Sequence, residues 1–272
     1  MTGALSETAY AKINLALHVR ARRPDGYHEL ETLFAFAEDG DRLSGEPADD
    51  LTLTISGQQA AALGEDEDNL VLRAARGLKL AAGAGRGASL HLEKNLPVAA
   101  GLGGGSADAA AALRLLARLW DIDPDAPEIM EVAQSLGADV PACVGSETCF
   151  GRGRGDALSP FFDPAIVGTP LLLANPGIAL PTGPVFAGWD GRDRGPLDPA
   201  DWRNARNDLT PAAVALVPEI AGLMALLEAQ PGANFVRMSG SGATCLALFD
   251  TIEARDAAAL ALPFWHMSTR IR

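Results

Sequence analysis

The sequence predicts an α+β protein. Segments with alternating apolar residues, typical of strands, and segments with apolar residues every three or four positions, typical of helices, occur along the whole chain of 272 residues. They are mixed without the regular βαβ alternation of a doubly wound sheet. With 48% hydrophobic residues the chain can bury a proper core, and its length suits two domains or one large domain.

The first predicted element is a strand from Tyr10 to Val19. Its apolar residues alternate with Lys12, Asn14 and His18, which predicts a half-buried strand with those polar side chains on one face. Shorter strands are expected in the rest of the first half at residues 33–36, 51–55 and 88–92, and an acidic loop is expected at residues 64–68.

Start and stop signals predict three helices before residue 140. Asn69 is placed to cap the first, because apolar residues recur after it at helical spacing. Ser106 is expected to cap the second, which ends near residue 120. The third covers residues 127–136, where a proline suits the first turn and a glycine marks the end. Asp139 follows in the turn by which the chain leaves this helix.

The second half begins after a connection at residues 160–170. Strands are expected at residues 171–174, 235–238, 246–249 and 264–271, with a short alanine-rich helix before the last. Residues 211–228 are predicted to be helical with a kink or break at Pro218, since proline removes a backbone donor and clashes with the preceding turn.

Composition excludes several classes of protein. The net charge of −13 argues against a nucleic-acid binder, which needs clustered lysine and arginine to neutralise phosphates. Three cysteines without the spacing of a zinc site or a disulfide framework suit the reducing cytoplasm. No apolar stretch approaches the roughly 20 residues that span a bilayer. We expect a soluble cytoplasmic protein with no membrane contact, as a monomer or a weak homodimer.

The segment from Pro97 to Ser106, here called the glycine loop, reads Pro-Val-Ala-Ala-Gly-Leu-Gly-Gly-Gly-Ser. Glycine lets a backbone approach a ligand closely, and the unpaired N–H groups of a helix start attract anions, so the loop predicts an anion site. It is not a dinucleotide fingerprint, because the acids that follow lie after the helix and not at the end of a second strand. It also lacks the Gly-Lys-Ser/Thr of a P-loop.

Three separated segments together resemble the motifs of the GHMP kinases, the superfamily of galactokinase, homoserine kinase and mevalonate kinase. They are residues 11–15 (AKINL), the glycine loop, and residues 238–243 (MSGSGA). Residues 23–30, 68–71, 137–141, 151–155 and 206–209 extend the resemblance to nearly the whole chain. Tyr27-His28 resembles the cytosine-recognising segment of those members that act on a cytidine diphosphate-linked methylerythritol in the non-mevalonate route to isoprenoids.

The resemblance implies two lobes with the active site between them. Residues 1–160 would form an ATP-binding lobe like ribosomal-protein S5 domain 2, and residues 161–272 a ferredoxin-like lobe. The implied reaction, with Mg²⁺ as cofactor, moves the γ-phosphate of ATP to the 2-hydroxyl of the substrate. Two alternatives stay open: another small-molecule GHMP kinase, and a catalytically silent member that senses a ligand.

The resemblance also assigns roles to individual residues. Asp139 would be the catalytic base, and Lys12 would pair with it and stabilise charge on the acceptor oxygen. The nucleotide would be bound by Asn69, Lys94, Pro97, Gly101, Leu102, Gly103, Gly104, Gly105 and Ser106, with Ser106 also a candidate magnesium ligand. The substrate would be bound by Asn14, Tyr27, His28, Phe186, Ser239 and Gly240.

Several of these residues also have a purely structural interpretation. Taken alone, Lys12 suits a solvated strand lysine, Asp139 a turn-capping acid, and Tyr27 and Phe186 core aromatics. Ala99 stands where the family often has glycine. Close approach of the loop backbone to a ligand is expected to survive there provided that the φ angle of Ala99 is negative.

Overall fold

The structure is a computed structural model that describes residues 4–63 and 69–272. The acidic loop predicted at residues 64–68 lies outside the described residues. The strands are β1 (Leu5–Arg22), β2 (His28–Ala48), β3 (Leu51–Ser56), β4 (Gly87–Glu93), β5 (Cys149–Gly153), β6 (Ala157–Pro160), β7 (Pro170–Asn175), β8 (Ala233–Met238), β9 (Cys245–Phe249) and β10 (Trp265–Arg270). The helices are α1 (Leu70–Ala81), α2 (Gly104–Leu119), α3 (Pro127–Leu136), α4 (Val140–Gly145), α5 (Thr182–Ala187), α6 (Thr210–Leu216), α7 (Glu219–Glu228) and α8 (Ile252–Leu260).

The chain divides into two compact units that are interleaved in sequence. The first comprises residues up to 11, 39–98 and 103–146, and the second comprises residues 12–38, 99–102 and 147–272. Strands β1 and β2 therefore contribute residues to both. Two continuous domains, residues 1–160 and 161–272, were expected, whereas each of these units is made of several segments of the chain. The domain boundary at residue 160 stays a prediction.

In the first unit, β4 lies between β3, to which it is parallel, and the second half of β2, to which it is antiparallel. The register places Leu90 of β4 opposite Leu53 on one side and Gly45 on the other. Helix α2 packs against α1, α3 and α4. All its residues from Ala107 to Ala112 are buried, and their mostly alanine side chains let the neighbouring helices approach closely.

The second unit contains an antiparallel sheet with the strand order β10-β7-β9-β8. Helices α5 to α7 lie between β7 and β8 in sequence, and α8 lies between β9 and β10, which gives the βαββαβ arrangement of a ferredoxin-like fold. Its core includes Leu172, Leu223 and Ala247. The first half of β2 pairs with β5, which pairs with β6.

Several local predictions are confirmed. Asn69 caps α1, since its Oδ1 accepts a hydrogen bond from the N–H of Val71 at 2.9 Å. The third predicted helix is α3, with the expected bounds. The helical region around Pro218 is divided there, because α6 ends at Leu216 and α7 begins at Glu219.

Other local predictions need correction. Residues 11–19 of β1 are buried on both faces, with Lys12 only 4% and Asn14 only 2% exposed, so the strand is not half-buried. Ser106 does not cap α2, because Gly103 occupies the cap position in a left-handed conformation and the helix starts one residue later. Asp139 does lie in the turn that follows α3, but α4, which begins directly after it, was not expected. Helix α5 was not expected, since prolines and glycines surround it.

Candidate active site

The glycine loop has left-handed backbone at three alternate positions. Ala99, Gly101 and Gly103 have φ angles of 52°, 76° and 60°. Helix α2 follows directly, and within the described residues no side chain caps its start. The N–H groups of its first turn therefore lack intrahelical partners. A helix start of this kind attracts phosphate oxygens through its N–H groups and its dipole.

Ala99 does not have the negative φ that close approach was expected to require. The residue is exposed and left-handed, a conformation that costs an alanine about 1–2 kcal/mol. Glycine adopts the same φ without this cost, which is a physical reason for glycine at this position in the motif.

A buried cluster of three charged side chains lies next to the start of α2, in the first unit. Lys94 Nζ donates to Asp41 Oδ2 at 2.5 Å and to Asp108 Oδ2 at 2.7 Å. A Cβ placed on Gly104 would lie 3.0 Å from that ammonium. Burial raises the pKa of Asp108 to about 7, and the Asp41 charge acts in the same direction against the attraction of Lys94. The Lys94 side chain is thus already held by two carboxylates. Its assigned contact with the nucleotide stays a prediction.

Asn69 and Asp139 also belong to the first unit. The side-chain oxygen of Asn69 is engaged in the cap of α1, so a contact with nucleotide falls to its amide nitrogen or backbone. Asp139 is half-buried directly before α4, and within the described part of the chain its side chain makes no capping hydrogen bond to that helix. Asp139 therefore does not act as the side-chain cap of α4.

In the second unit, Lys12 belongs to a hydrogen-bonded chain of buried polar side chains on β1 and β2. Its Nζ donates to Asn14 Oδ1 at 3.0 Å and lies 5.1 Å from the centre of the Phe34 ring. Asn14 Nδ2 donates to Thr32 Oγ1 at 2.8 Å, and that hydroxyl donates to the carbonyl of Ala16 at 2.7 Å. These contacts fix the amide orientation of Asn14 and hold the ammonium in place, so Lys12 is not a solvated strand lysine.

The turn at residues 239–242 lies against the middle of the glycine loop, in the same unit. Ser239 Oγ donates to the carbonyl of Gly101 at 2.8 Å and accepts the N–H of Asn14 at 3.2 Å. Asn207 Nδ2 donates to the carbonyls of Met238 and Gly240, at 2.9 and 2.8 Å. The assigned residues Asn14, Ser239 and Gly240 are thus brought together, and Asn207 holds the turn in shape.

An aromatic cluster in the second unit surrounds His28. Its ring centre lies 4.9 Å from that of Phe186 and 5.8 Å from that of Trp189. Burial and then the charge of Arg22 lower the pKa of His28, so the ring is neutral near pH 7. Within the described residues its buried Nε2 has no hydrogen-bond partner. Tyr27 is 52% exposed and is therefore not a core aromatic.

Comparison with known proteins assigns the family. The GHMP kinases N terminal domain matches residues 69–147, and the family described as GHMP kinases C terminal matches residues 192–265. A 4-diphosphocytidyl-2-C-methyl-D-erythritol kinase of Rhizorhabdus wittichii is 56% identical over 98% of this chain and 94% of its own length. The chain belongs to this family of GHMP kinases.

Solved structures agree with the family. A crystal structure of 4-(cytidine 5'-diphospho)-2C-methyl-D-erythritol kinase matches this GHMP kinase with a TM-score of 0.85 at 34% identity, over 98% of this chain and 99% of that one. Homoserine kinase from Cytophaga hutchinsonii matches with a TM-score of 0.71 at 17% identity, over 100% of this chain and 96% of that one, a likeness of fold alone. The predicted α+β GHMP kinase fold is confirmed.

Four neighbours of the assigned residues in this GHMP kinase were not expected from the sequence. They are Asp41, Thr32, Trp189 and Asn207. Asn207 falls within residues 206–209, a segment of the family resemblance, so the sequence could have identified it as a site residue. The other three lie in ordinary strand or loop sequence, and only their contacts reveal them.

Two features are absent from the part of the chain that the structure describes. No helix there is long and apolar enough to cross a membrane. No group of three or more histidine, cysteine, aspartate or glutamate side chains in that part of the chain is arranged to hold a metal ion.

Proposed function

We propose that this GHMP kinase transfers the γ-phosphate of ATP to the 2-hydroxyl of 4-diphosphocytidyl-2-C-methyl-D-erythritol and releases ADP. The observation that carries the proposal is the 56% identity, over nearly the whole of both chains, to a relative named for that substrate. Phosphoryl transfer needs in-line positioning and positive potential near the transferred group rather than covalent chemistry by the protein. The residues assigned above supply those two requirements.

Phosphate binding falls to the glycine loop and the first turn of α2. Gly103, Gly104 and Gly105 place backbone N–H groups at a helix start, where they and the helix dipole favour the β- and γ-phosphates. Ser106 lies half-buried in that first turn, and its hydroxyl is an oxygen donor of the kind that Mg²⁺ accepts. Bound Mg²⁺ would neutralise charge on the phosphate oxygens. Pro97 precedes the left-handed residues of the loop, and Leu102 lies between two of them, Gly101 and Gly103.

Asp139 acts as the general base. It takes the proton of the acceptor hydroxyl as the oxygen–phosphorus bond forms and the bond from the γ-phosphorus to the bridging oxygen of ADP breaks. Lys12, held by Asn14, supplies positive charge to the acceptor oxygen while that proton leaves.

Recognition of the cytosine base falls to the aromatic cluster. His28 carries a buried Nε2 without a partner in the described residues, and a base with hydrogen-bonding edges would satisfy it. Phe186 and the exposed Tyr27 offer ring faces for stacking. Asn14, Ser239 and Gly240 would contact the acceptor. A cytoplasmic location and a monomeric or weakly dimeric state complete the proposal.

The test is ADP release by purified protein with ATP and Mg²⁺. The cytidyl substrate should be turned over, and homoserine and mevalonate should not. Turnover of either of those two without the cytidyl substrate would refute the substrate assignment. Binding of the cytidyl substrate in a titration, with no ADP formed, would identify a ligand-sensing protein instead.

The role of Asp139 is tested by Asp139→Asn. We expect kcat to fall by about 10²- to 10⁴-fold while the Kd for ATP stays unchanged, because the change removes a proton acceptor but no phosphate contact. Asp125→Asn, in the exposed turn before α3, is the matched control and should keep full activity. Near-normal kcat in Asp139→Asn would remove it as the base.

A further inference from the structure

The buried charged cluster ties together the two ends of the glycine loop. Asp41 Oδ1 accepts the backbone N–H groups of Asn95 and Leu96, at 2.5 and 2.8 Å, immediately before the loop. Asp108 lies in α2, immediately after the loop, and is 3% exposed. The ammonium of Lys94 joins the two carboxylates, at 2.5 and 2.7 Å. One side chain thus connects the segment that enters the loop to the helix that leaves it.

This arrangement is costly as a source of stability. Removing charges from water carries a large desolvation penalty, and apolar residues of similar volume often stabilise a fold as well or better. Here two carboxylates share one ammonium, and within the described residues Asp108 Oδ1 has no hydrogen-bond partner. An expensive, directional cluster beside a ligand loop suits a role in holding geometry.

The cluster also contacts the loop end directly. A Cβ on Gly104 would lie 3.0 Å from Lys94 Nζ and 3.9 Å from Asp41 Oδ2. The first helical residue therefore lies close to the ammonium, with little room for a side chain. If the Lys94 ammonium moved, the backbone N–H groups of this first turn would also move.

We propose that Lys94, Asp41 and Asp108 are positioning residues that hold the two ends of the glycine loop in the geometry that binds the triphosphate of ATP. The inference rests on the proposed phosphate-binding role of the loop and concerns nucleotide affinity. In this arrangement the Lys94 ammonium acts through the loop and not as a phosphate ligand.

The experiment compares Asp108→Ala with Asp108→Asn by calorimetric titration with ATP and Mg²⁺ in the absence of acceptor. Removing Asp108 leaves a neutral Lys94–Asp41 pair, so the protein is expected to fold. We expect Asp108→Ala to weaken the Kd for ATP about tenfold, on the order of one lost charge-assisted hydrogen bond. Asp108→Asn keeps an oxygen acceptor for the ammonium and should restore the Kd to within about twofold. The side chain in Asp108→Ser is too short to reach the ammonium, so this variant should have the same Kd for ATP as Asp108→Ala. If Asp108→Ala folds poorly, the Kd of Asp108→Ser tests the proposal in its place.

Leu116→Ala is the matched control in the same helix. It removes a buried side chain of α2 away from the cluster and should lower Tm without changing the Kd for ATP. An unchanged Kd in Asp108→Ala and Asp108→Ser, or an equal loss of affinity in Leu116→Ala, would overturn the proposal. Steady-state kinetics should show the KM for ATP raised in Asp108→Ala and the KM for the acceptor unchanged. A wild type that binds ATP but does not turn over the cytidyl substrate would refute the proposed function and leave the binding comparison valid.

Discussion

Gly101 is a position in the glycine loop where any side chain meets main-chain atoms. Its φ is +76°, and an added Cβ would lie 2.3 Å from the carbonyl oxygen of Ser239 and 2.9 Å from that of Gly242. Main-chain atoms cannot rotate aside as the end of a flexible side chain does. Gly101→Ala must therefore displace the loop, the turn at residues 239–242, or both.

The expected loss of stability in Gly101→Ala combines three terms. A left-handed alanine costs about 1–2 kcal/mol, and overpacking a well-packed site costs about 1–3 kcal/mol. The lower entropy of the unfolded chain returns about 0.4–1 kcal/mol. The net loss is about 1–5 kcal/mol. With an unfolding entropy of about 2.1 cal/mol/K per residue, this lowers the Tm of the chain by about 2–8 °C.

Scanning calorimetry of the wild type, Gly101→Ala and Gly222→Ala measures this effect. Gly222 lies inside α7, and an added Cβ there meets no heavy atom within 4 Å. Alanine is the better helix former, so Gly222→Ala should raise the free energy of unfolding by about 0.5–1 kcal/mol. A Tm for Gly101→Ala within about 1 °C of wild type would refute the steric reasoning. An equal loss in Gly222→Ala would show that the effect is not specific to the loop.

Two further changes test the second unit. Thr32→Val should lower the free energy of unfolding by about 1–3 kcal/mol, because it leaves the buried Nδ2 of Asn14 without its acceptor. Urea unfolding measures the loss, and Thr32→Ser, which keeps the hydroxyl, should show little of it. Burial and then the charge of Arg206 lower the pKa of His18. Below about pH 6.5 the folded state therefore binds fewer protons than the unfolded chain. The free energy of unfolding should fall as the pH decreases through that range. Urea unfolding at about pH 7.5 and about pH 5.5 should show a smaller fall in His18→Gln than in wild type, and equal falls would contradict the assignment.

Secondary structure was predictable where the signal is local. Asn69 caps α1 as expected, because a capping side chain needs only the next two residues of its own chain. Pro218 divides the helical region as expected, because its effect on the backbone does not depend on distant residues. The start of α2 was misplaced because a left-handed glycine served as the cap in place of the serine.

The candidate site was predictable where a motif carries it. Lys12, Asn14, the glycine loop and Ser239 follow from segments of the family resemblance. Hydrogen bonds in the second unit join Lys12 to Asn14, Asn14 to Ser239, and Ser239 to Gly101 of the loop. Thr32 and Trp189 could not be predicted from the sequence, because a threonine in a strand and a tryptophan in a loop have no local feature that distinguishes them.

By itself the sequence determined the mixture of strands and helices, the family and the position of the anion-binding loop, since these depend on local periodicity and on short motifs. Only the tertiary structure decided that the polar side chains of β1 are buried. It alone also brought Asp41 to Lys94, 53 residues away, with Asp108 as their third partner. Such contacts join side chains that are far apart in the chain, and the free energy that selects them comes from burial and charge pairing in the folded core, for which the local sequence carries no periodic signal.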